Sequence, residues 1–320
     1  MALGEFELIE RYFKRPVRRA ALGVGDDCAL LTPAPGMQLA VSTDLLVEGR
    51  HFLSTVDPAR LGHKSLAVNL SDLAACGARP LAFTLSLSMP RVDEAFLAPF
   101  AQGLLALADE HQIELVGGDT TAGPLTIGIT VMGEVPPGQA LLRSGAQVGD
   151  DVWISGTLGD ARLALEVFRG QLQLSGEAFE QARRAMECPQ PRVALGLALR
   201  GLATSAIDLS DGLLGDLSHV LRRSGVGAQL RLADLPRSAL MAEQQDEVQA
   251  LCLLTGGDDY ELLFTAPPSR RDAVRAAAQE AATPVTLVGS LCAGDGVQVL
   301  GAGGVPLDLS GRQAFDHFRS

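Results

Sequence analysis

The stretch SAIDLSDGLLGDLSHVLRRSG, residues 205–225, decides the fold class. It opens on a short apolar run, turns through two acids and a glycine, then places apolar residues at helical spacing up to a closing glycine. A strand that passes through an acidic turn into a helix is a building unit of layered α/β proteins. The triplet Leu-Ser-Asp also stands at 70–72, inside NLSDLAACG (69–77), where Asp72 interrupts a run of Leu, Ala and Val. A single Asp in such a place is ordinary as a helix cap. Two such sites, one in each half of the chain, ask for a shared chemistry.

The strand and helix alternation extends outward from both sites. Residues 4–14 predict a helix, 37–44 a strand that ends in polar residues, and 57–77 a helix with Pro58 near its start and Gly77 near its end. A strand at 81–90, a helix at 93–111 and strands at 113–118 and 124–135 follow. The Gly- and Pro-rich run VPPGQALLRSGAQVGD (135–150) breaks the pattern and sets two domains, 1–137 and 138–320. Beyond it come a strand at 151–156, a helix through LGDARLALEVFRG, the 205–225 unit, and strands at 260–267 and 285–290 flanking a helix at 269–282. Residues 173–190 receive no assigned role. The class is α/β (α+β).

Bulk composition narrows the function. Of 320 residues, 47% are apolar and 20% charged, enough for a core in each half. The formal net charge is -12, and no Lys/Arg stripe with interleaved aromatics occurs, so a general nucleic-acid binder is not expected. RPVRR at 15–19 is the one basic cluster along the chain and reads as a solvated loop. No apolar run approaches the ~20 residues that span a bilayer. The acidic, amphipathic N-terminus lacks the zones of a signal peptide, so a cytoplasmic protein with no membrane partner is expected. Five scattered cysteines without CxxC, and five histidines without ligand spacing, argue against zinc and against a disulfide framework. Any metal site would use oxygen ligands, which suits magnesium, manganese or calcium.

Six short stretches set Asp beside small or hydroxyl residues: VGDDCALL (24–31), STDLL (42–46), LSDLA (70–74), GGDTT (117–121), DLSDG (208–212) and GGDDYEL (256–262). Most fall where a strand ends or a helix begins, positions from which side chains converge on a sheet-edge crevice. Gathered carboxylates repel one another unless cations sit between them. A frequent reason to gather magnesium is to neutralise nucleotide phosphates. The glycines of GVGDD and VGGDTT would allow close backbone approach to a phosphate. GxGxxG, GxxxxGKS/T and the protein-kinase motif set are all absent, so phosphates would be bound mainly through bridging metals, with Arg143 of RSGAQVGD as an added cation. No nucleophile elbow or Ser-His-Asp set occurs, and Cys28 beside Asp27 is poorly placed to form a thiolate. An acidic calcium-binding protein is the non-enzymatic alternative.

The ordered runs GEFELIERYF, GVGDDCALL, STDLLVEGRHF, KSLAVNLSDLAACGARP, VGGDTT, RSGAQVGD, SAIDLSDGL, GGDDYELLF and FDHF resemble those of the bacterial thiamine-monophosphate kinase family, from residue 4 to 318. The resemblance implies a two-domain fold like that of aminoimidazole ribonucleotide synthetase, with an N-terminal sheet domain that forms a homodimer. It implies magnesium-assisted, direct in-line phosphorylation of thiamine monophosphate by ATP to thiamine diphosphate, with several magnesium ions and no covalent catalytic residue. Carried over by position, it implies magnesium ligands at Asp27, Ser42, Thr43, Asp44, Asp72, Asp119, Asp208 and Asp211. It implies ATP contacts at Gly118, Asp119, Arg143 and Ser210. It implies substrate contacts at His51, Asp258 and Phe315. GGDDYEL departs from the family's frequent GGEDYEL by one methylene, and Phe315 stands where Trp or Tyr is frequent.

Overall fold

The computed structural model describes residues 4–311, so Phe315 lies outside the described residues. One compact unit runs to Leu73 and resumes from Ala78 to Gly138. The other holds Ala74–Gly77 and the chain from Gln139 onward.

The first unit carries α1 (Glu5–Tyr12), β1 (Gln38–Val47), α2 (Pro58–Ala75), β2 (Arg79–Met89), α3 (Glu94–Glu110), β3 (Glu114–Ala122) and β4 (Thr126–Val135). Its sheet has the order β1-β4-β2-β3, with β2 and β3 parallel and the other pairs antiparallel. Period-two alternation gives this sheet two unlike faces. Phe83, Leu85, Leu87, Ile127, Ile129 and Val131 are buried on one face, with Leu66, Leu70 and Leu73 of α2 also in the core. Leu73 meets the bare backbone of Gly133, at 3.0 Å from where a Cβ would stand. On the opposite face Val41 and Leu45 of the edge strand β1 are exposed.

Two buried or half-buried acids hold the segment that precedes β1 to this sheet. Glu114 accepts the backbone N–H groups of Arg18, Arg19 and Ala20 at 2.7–3.1 Å. Burial pushes its carboxyl up, but these donors outweigh it and hold the pKa below the usual carboxylate value. Glu134 accepts the N–H of Ala34 at 2.9 Å and pairs with Arg19 and Arg79. Two of the three arginines of RPVRR are thus engaged within this unit, Arg15 with Asp109 and Arg19 with Glu134.

The second unit carries β5 (Asp151–Ser155), α4 (Asp160–Phe168), α5 (Gly176–Glu187), α6 (Val193–Ala198), β6 (Ser205–Asp208), α7 (Leu213–Ser224), β7 (Gly227–Arg231), α8 (Ala239–Ala242), α9 (Asp246–Thr255), β8 (Leu262–Ala266), α10 (Arg271–Glu280), β9 (Val285–Cys292) and β10 (Val297–Leu300). Its six-stranded sheet has the order β10-β7-β9-β5-β8-β6 and is antiparallel except between β10 and β7. Trp153 and Phe264 are cross-strand partners and stack with centroids 6.3 Å apart. Residues 173–190, without a role in the sequence reading, contain α5, capped by Ser175. The short strands β7 and β10 and the helix α9 are further elements that the local pattern left unassigned.

Candidate active site

In the first unit the alternation of β1 sorts the STD run. Ser42 and Asp44 turn inward toward α2, and Thr43 turns to the open face. Ser42 Oγ donates a short hydrogen bond to the Asp72 carboxylate. The backbone N–H of Asp44 donates to Asn69 Oδ1 at 3.2 Å, and Asn69 Nδ2 donates to the Ser65 carbonyl at 3.0 Å. Asn69 stands three residues before Asp72, so the two side chains share one flank of α2. Ser42, Asp44, Asn69 and Asp72 therefore form one oxygen-rich group. The Thr43 hydroxyl lies apart from it, 2.8 Å from the Thr130 hydroxyl.

His51 follows β1 in a turn closed by its N–H to the Val47 carbonyl at 3.0 Å. The Val47 N–H donates to His51 Nδ1 at 3.0 Å. A ring nitrogen that accepts carries no proton, so the neutral imidazole keeps its N–H at Nε2. Asp27 is exposed, on the loop that Glu114 and Glu134 tether, and its N–H donates to Asp26 Oδ1 at 2.9 Å. Gly118 and Asp119 sit on β3, at the opposite sheet edge from β1, beside a hollow lined by Ile9, Phe13 and Leu115. Three strand spacings of ~4.8 Å separate β3 from β1 by about 14 Å. Gly118 has φ of 149°, and a Cβ there would stand 1.8 Å from the Leu85 carbonyl oxygen. The demand for glycine at this position comes from the neighbouring strand of the protein itself.

In the second unit Asp208 ends β6, buried, and the chain turns through Ser210 and Asp211 into α7. Asp216, buried in the first turns of α7, accepts the N–H groups of Asp211 and Gly212 at 3.1 Å each. Burial, and then the charge of Asp211, push the Asp216 carboxyl up to about 7. The GGDDYEL loop lies alongside: Asp258 N–H donates to the Ser210 carbonyl and Tyr260 N–H to the Leu209 carbonyl, both at 2.8 Å. A Cβ on Gly257 would stand 2.3 Å from the Ser210 oxygen, so this approach requires glycine. Asp258 and Tyr260 take left-handed backbone with φ of 71° and 51°. That conformation is costly for non-glycine residues and is concentrated at functional loops.

The loop is anchored at both ends of its acidic run. Asp259 accepts the Gly159 N–H at 2.9 Å, and burial followed by the charges of Glu261, Asp160 and Asp258 pushes its carboxyl well up. Glu261 is buried and takes Arg192 in a two-pronged ion pair at 2.7 and 2.5 Å, plus the Ser155 hydroxyl at 2.5 Å. Arg143 is exposed, and its carbonyl accepts the Ser224 hydroxyl at 3.3 Å.

The structure thus brings Ser42, Asp44 and Asp72 into one group and Asp208, Ser210, Asp211 and Asp258 into adjoining loops. Within the first unit it does not bring Asp119 or the Thr43 hydroxyl to the Asp72 group. Among the described residues no three His, Cys, Asp or Glu side chains are clustered so as to hold a metal alone. Magnesium seldom asks for such a cage, because it keeps waters and takes phosphate oxygens beside one or two carboxylates. The donors here are hydroxyl, carboxylate and amide oxygens, and Asp208, Asp211 and Asp216 follow one another from the end of β6 to the first turn of α7. Those residues fit a hard divalent cation. The sequence reading missed Asn69, Asp216, Arg192 and Glu261. The signals were present in the Asn three residues ahead of Asp72 and the acid in the opening turns of α7.

A two-unit α/β chain with acids at these strand ends and turns belongs to the AIR synthase related family. Residues 25–135 match the N-terminal domain of that family and residues 147–301 its C-terminal domain. The chain is 46% identical over 326 residues, 99% of each chain, to the thiamine-monophosphate kinase of Salmonella typhimurium. Its structure is similar to that of thiamine-monophosphate kinase from Stenotrophomonas maltophilia K279a, with TM-score 0.86 and 46% identity over 93% of this chain and 97% of that one. It is also similar to AaThiL complexed with AMPPCP and TMP, with TM-score 0.77 and 28% identity over 90% of this chain and 89% of that one. Within the wider family the chain therefore belongs with the thiamine-monophosphate kinases.

Proposed function

We propose that this protein transfers the γ-phosphate of ATP to thiamine monophosphate, giving thiamine diphosphate and ADP. The observation that carries the reading is 46% identity to a thiamine-monophosphate kinase across 99% of the chain. The geometry fits it. Asp27, Ser42, Asp44 and Asp72 in the first unit, and Asp208 and Asp211 in the second, would hold magnesium; Asp119 and Thr43, through its carbonyl, complete the proposed set. Bound there, magnesium supplies neutralisation of the charge shared by the two phosphate groups. Gly118, Arg143 and Ser210 are proposed to contact ATP. His51 is proposed to offer a neutral Nε2–H to the substrate, and Asp258, in a left-handed backbone conformation, is proposed to contact the cationic thiamine. Phe315 is proposed as a further substrate contact and lies outside the described residues.

No general base is required, since the attacking phosphate oxygen is already ionised at neutral pH. What this chain contributes is positioning: a rigid α2–β1 group and two loops laid edge to edge. The exposed row of Leu39, Val41 and Leu45 on edge strand β1 supports a homodimer formed through this sheet. Among the described residues no helix is long and apolar enough to cross a membrane. A cytoplasmic location is proposed from the supply of ATP that the reaction needs.

The test is the reaction itself. Protein, ATP, magnesium and thiamine monophosphate are combined and thiamine diphosphate is followed by chromatography, with EDTA in a parallel sample. Magnesium-dependent product is expected. Absence of product with every component present overturns the assignment.

A further inference from the structure

Three exposed arginines from two distant stretches of sequence converge in the second unit. Arg143 lies in the loop before β5, and Arg222 and Arg223 close α7. Ser224 fastens the two stretches, accepting the Ala146 N–H at 3.2 Å and donating to the Arg143 carbonyl at 3.3 Å. His219, one turn back on α7, completes the group: Arg222 Nη2 lies 3.0 Å from its Nδ1. A guanidinium only donates, so Nδ1 is the acceptor and the ring presents its proton at Nε2. Desolvation first, then the charges of Arg222, Arg143 and Arg223, hold the imidazole below its usual pKa, while Asp211 works the other way. Arg222 and Arg223, three and four residues on, share the flank of α7 that carries His219, Ser224 ties the Arg143 segment to the same helix end, and α7 follows the turn of the expected magnesium ligand Asp211. Among the described residues none of these arginines makes an ion pair, whereas Arg15, Arg19, Arg79, Arg162, Arg192 and Arg271 all do.

Converged guanidinium groups without carboxylate partners repel one another unless an anion enters. The chain as a whole carries -12, a field that opposes any anionic substrate. We propose that Arg143, His219, Arg222 and Arg223 form a receiving surface for the polyphosphate of a nucleoside triphosphate, drawing it toward the Asp211 turn. This rests on the kinase reading and deepens it by adding His219, Arg222 and Arg223 to the nucleotide's path. A triphosphate carries enough charge to engage several guanidinium groups at once, which the monophosphate of the acceptor does not.

The test is the double variant Arg222→Gln/Arg223→Gln. Both side chains are exposed, so its thermal midpoint should match the wild type. Steady-state rates are measured with ATP varied at saturating thiamine monophosphate and magnesium, at low salt and at added potassium chloride. The expected result is a kcat/KM for ATP lowered roughly tenfold at low salt, a shallower salt dependence than the wild type, and an unchanged KM for thiamine monophosphate. Calorimetric titration with magnesium and a non-hydrolysable ATP analogue gives a second readout that needs no turnover. Wild-type turnover that fails would refute the kinase reading, yet weaker analogue binding in the variant would still support the receiving surface. Equal analogue affinity in the two proteins, or a shift confined to thiamine monophosphate, overturns the proposal.

Discussion

Replacement of Arg192 by Met tests whether the ion pair with Glu261 sets the GGDDYEL loop. Glu261 has 5% of its surface exposed, and Arg192 covers both carboxylate oxygens at 2.5 and 2.7 Å. Burial would lower the guanidinium pKa, but the hydrogen bond and charge of Glu261 outweigh it and raise the value. Ser155 links this pair to the next strand, donating to Glu261 and accepting the Leu262 N–H at 2.8 Å. In the variant Glu261 keeps the hydroxyl but loses its counter-charge. Removing one partner of a buried pair costs about 3–5 kcal/mol, because a charge is left without compensation. For a unit of this size that corresponds to a fall in Tm of roughly 6–20 °C. The single tryptophan, Trp153, is buried in the same unit, so urea unfolding followed by its fluorescence reads this transition. The double variant Arg192→Met/Glu261→Gln removes the stranded charge and should recover at least half of the loss. The loop carries two left-handed non-glycine residues, and without its anchor it relaxes. The KM for thiamine monophosphate should therefore rise in the single variant. A single variant within about 0.5 kcal/mol of wild type, or a double variant less stable than the single, refutes the reasoning.

Asp72→Asn keeps the size and a hydrogen bond to Ser42 while removing the charge; kcat should fall roughly a hundredfold or more with Tm near wild type, and wild-type turnover would reject the metal role. Glu114 has a lowered pKa, so its stabilising contribution is present above its unfolded value of 4.5 and is lost as pH falls through the lower folded value. Circular-dichroism melts between pH 6 and 3 should show that loss in the wild type and a flatter profile in Glu114→Gln; parallel profiles would discount the tether. Val41→Asp/Leu45→Asp places charges in the exposed row of β1 and should shift the proposed dimer toward monomer in sedimentation; a wild-type protein that sediments as a monomer, or an unaltered distribution, counts against that face as the interface.

Much of the fold was legible because its signals are local. Alternation wrote β1, and it also set Ser42 and Asp44 opposite to Thr43. Helical spacing with Pro58, Gly77, Gly212 and Gly225 marked α2 and α7, since caps and periodicity act within a few residues. The repeated Leu-Ser-Asp triplet pointed to the acid on α2 and to the acidic turn before α7 for the same reason. The strands β7 and β10 escaped because four or five residues without clear alternation are defined by the partner strands they bond to.

What only the tertiary structure decided concerns neighbours far apart in sequence. Strand order placed β3 at the edge opposite β1 and so separated Asp119 from the Asp72 group. Close backbone packing made Gly118 answer to Leu85 and Gly257 to Ser210. Pairing across long loops gave Glu261 its arginine and tied the Arg143 segment to the end of α7 that carries Arg222 and Arg223. Residue type and local spacing determine which elements form and which chemistry each one carries. Which of those elements meet is set by burial of the two cores, a property of the whole chain that no short stretch contains.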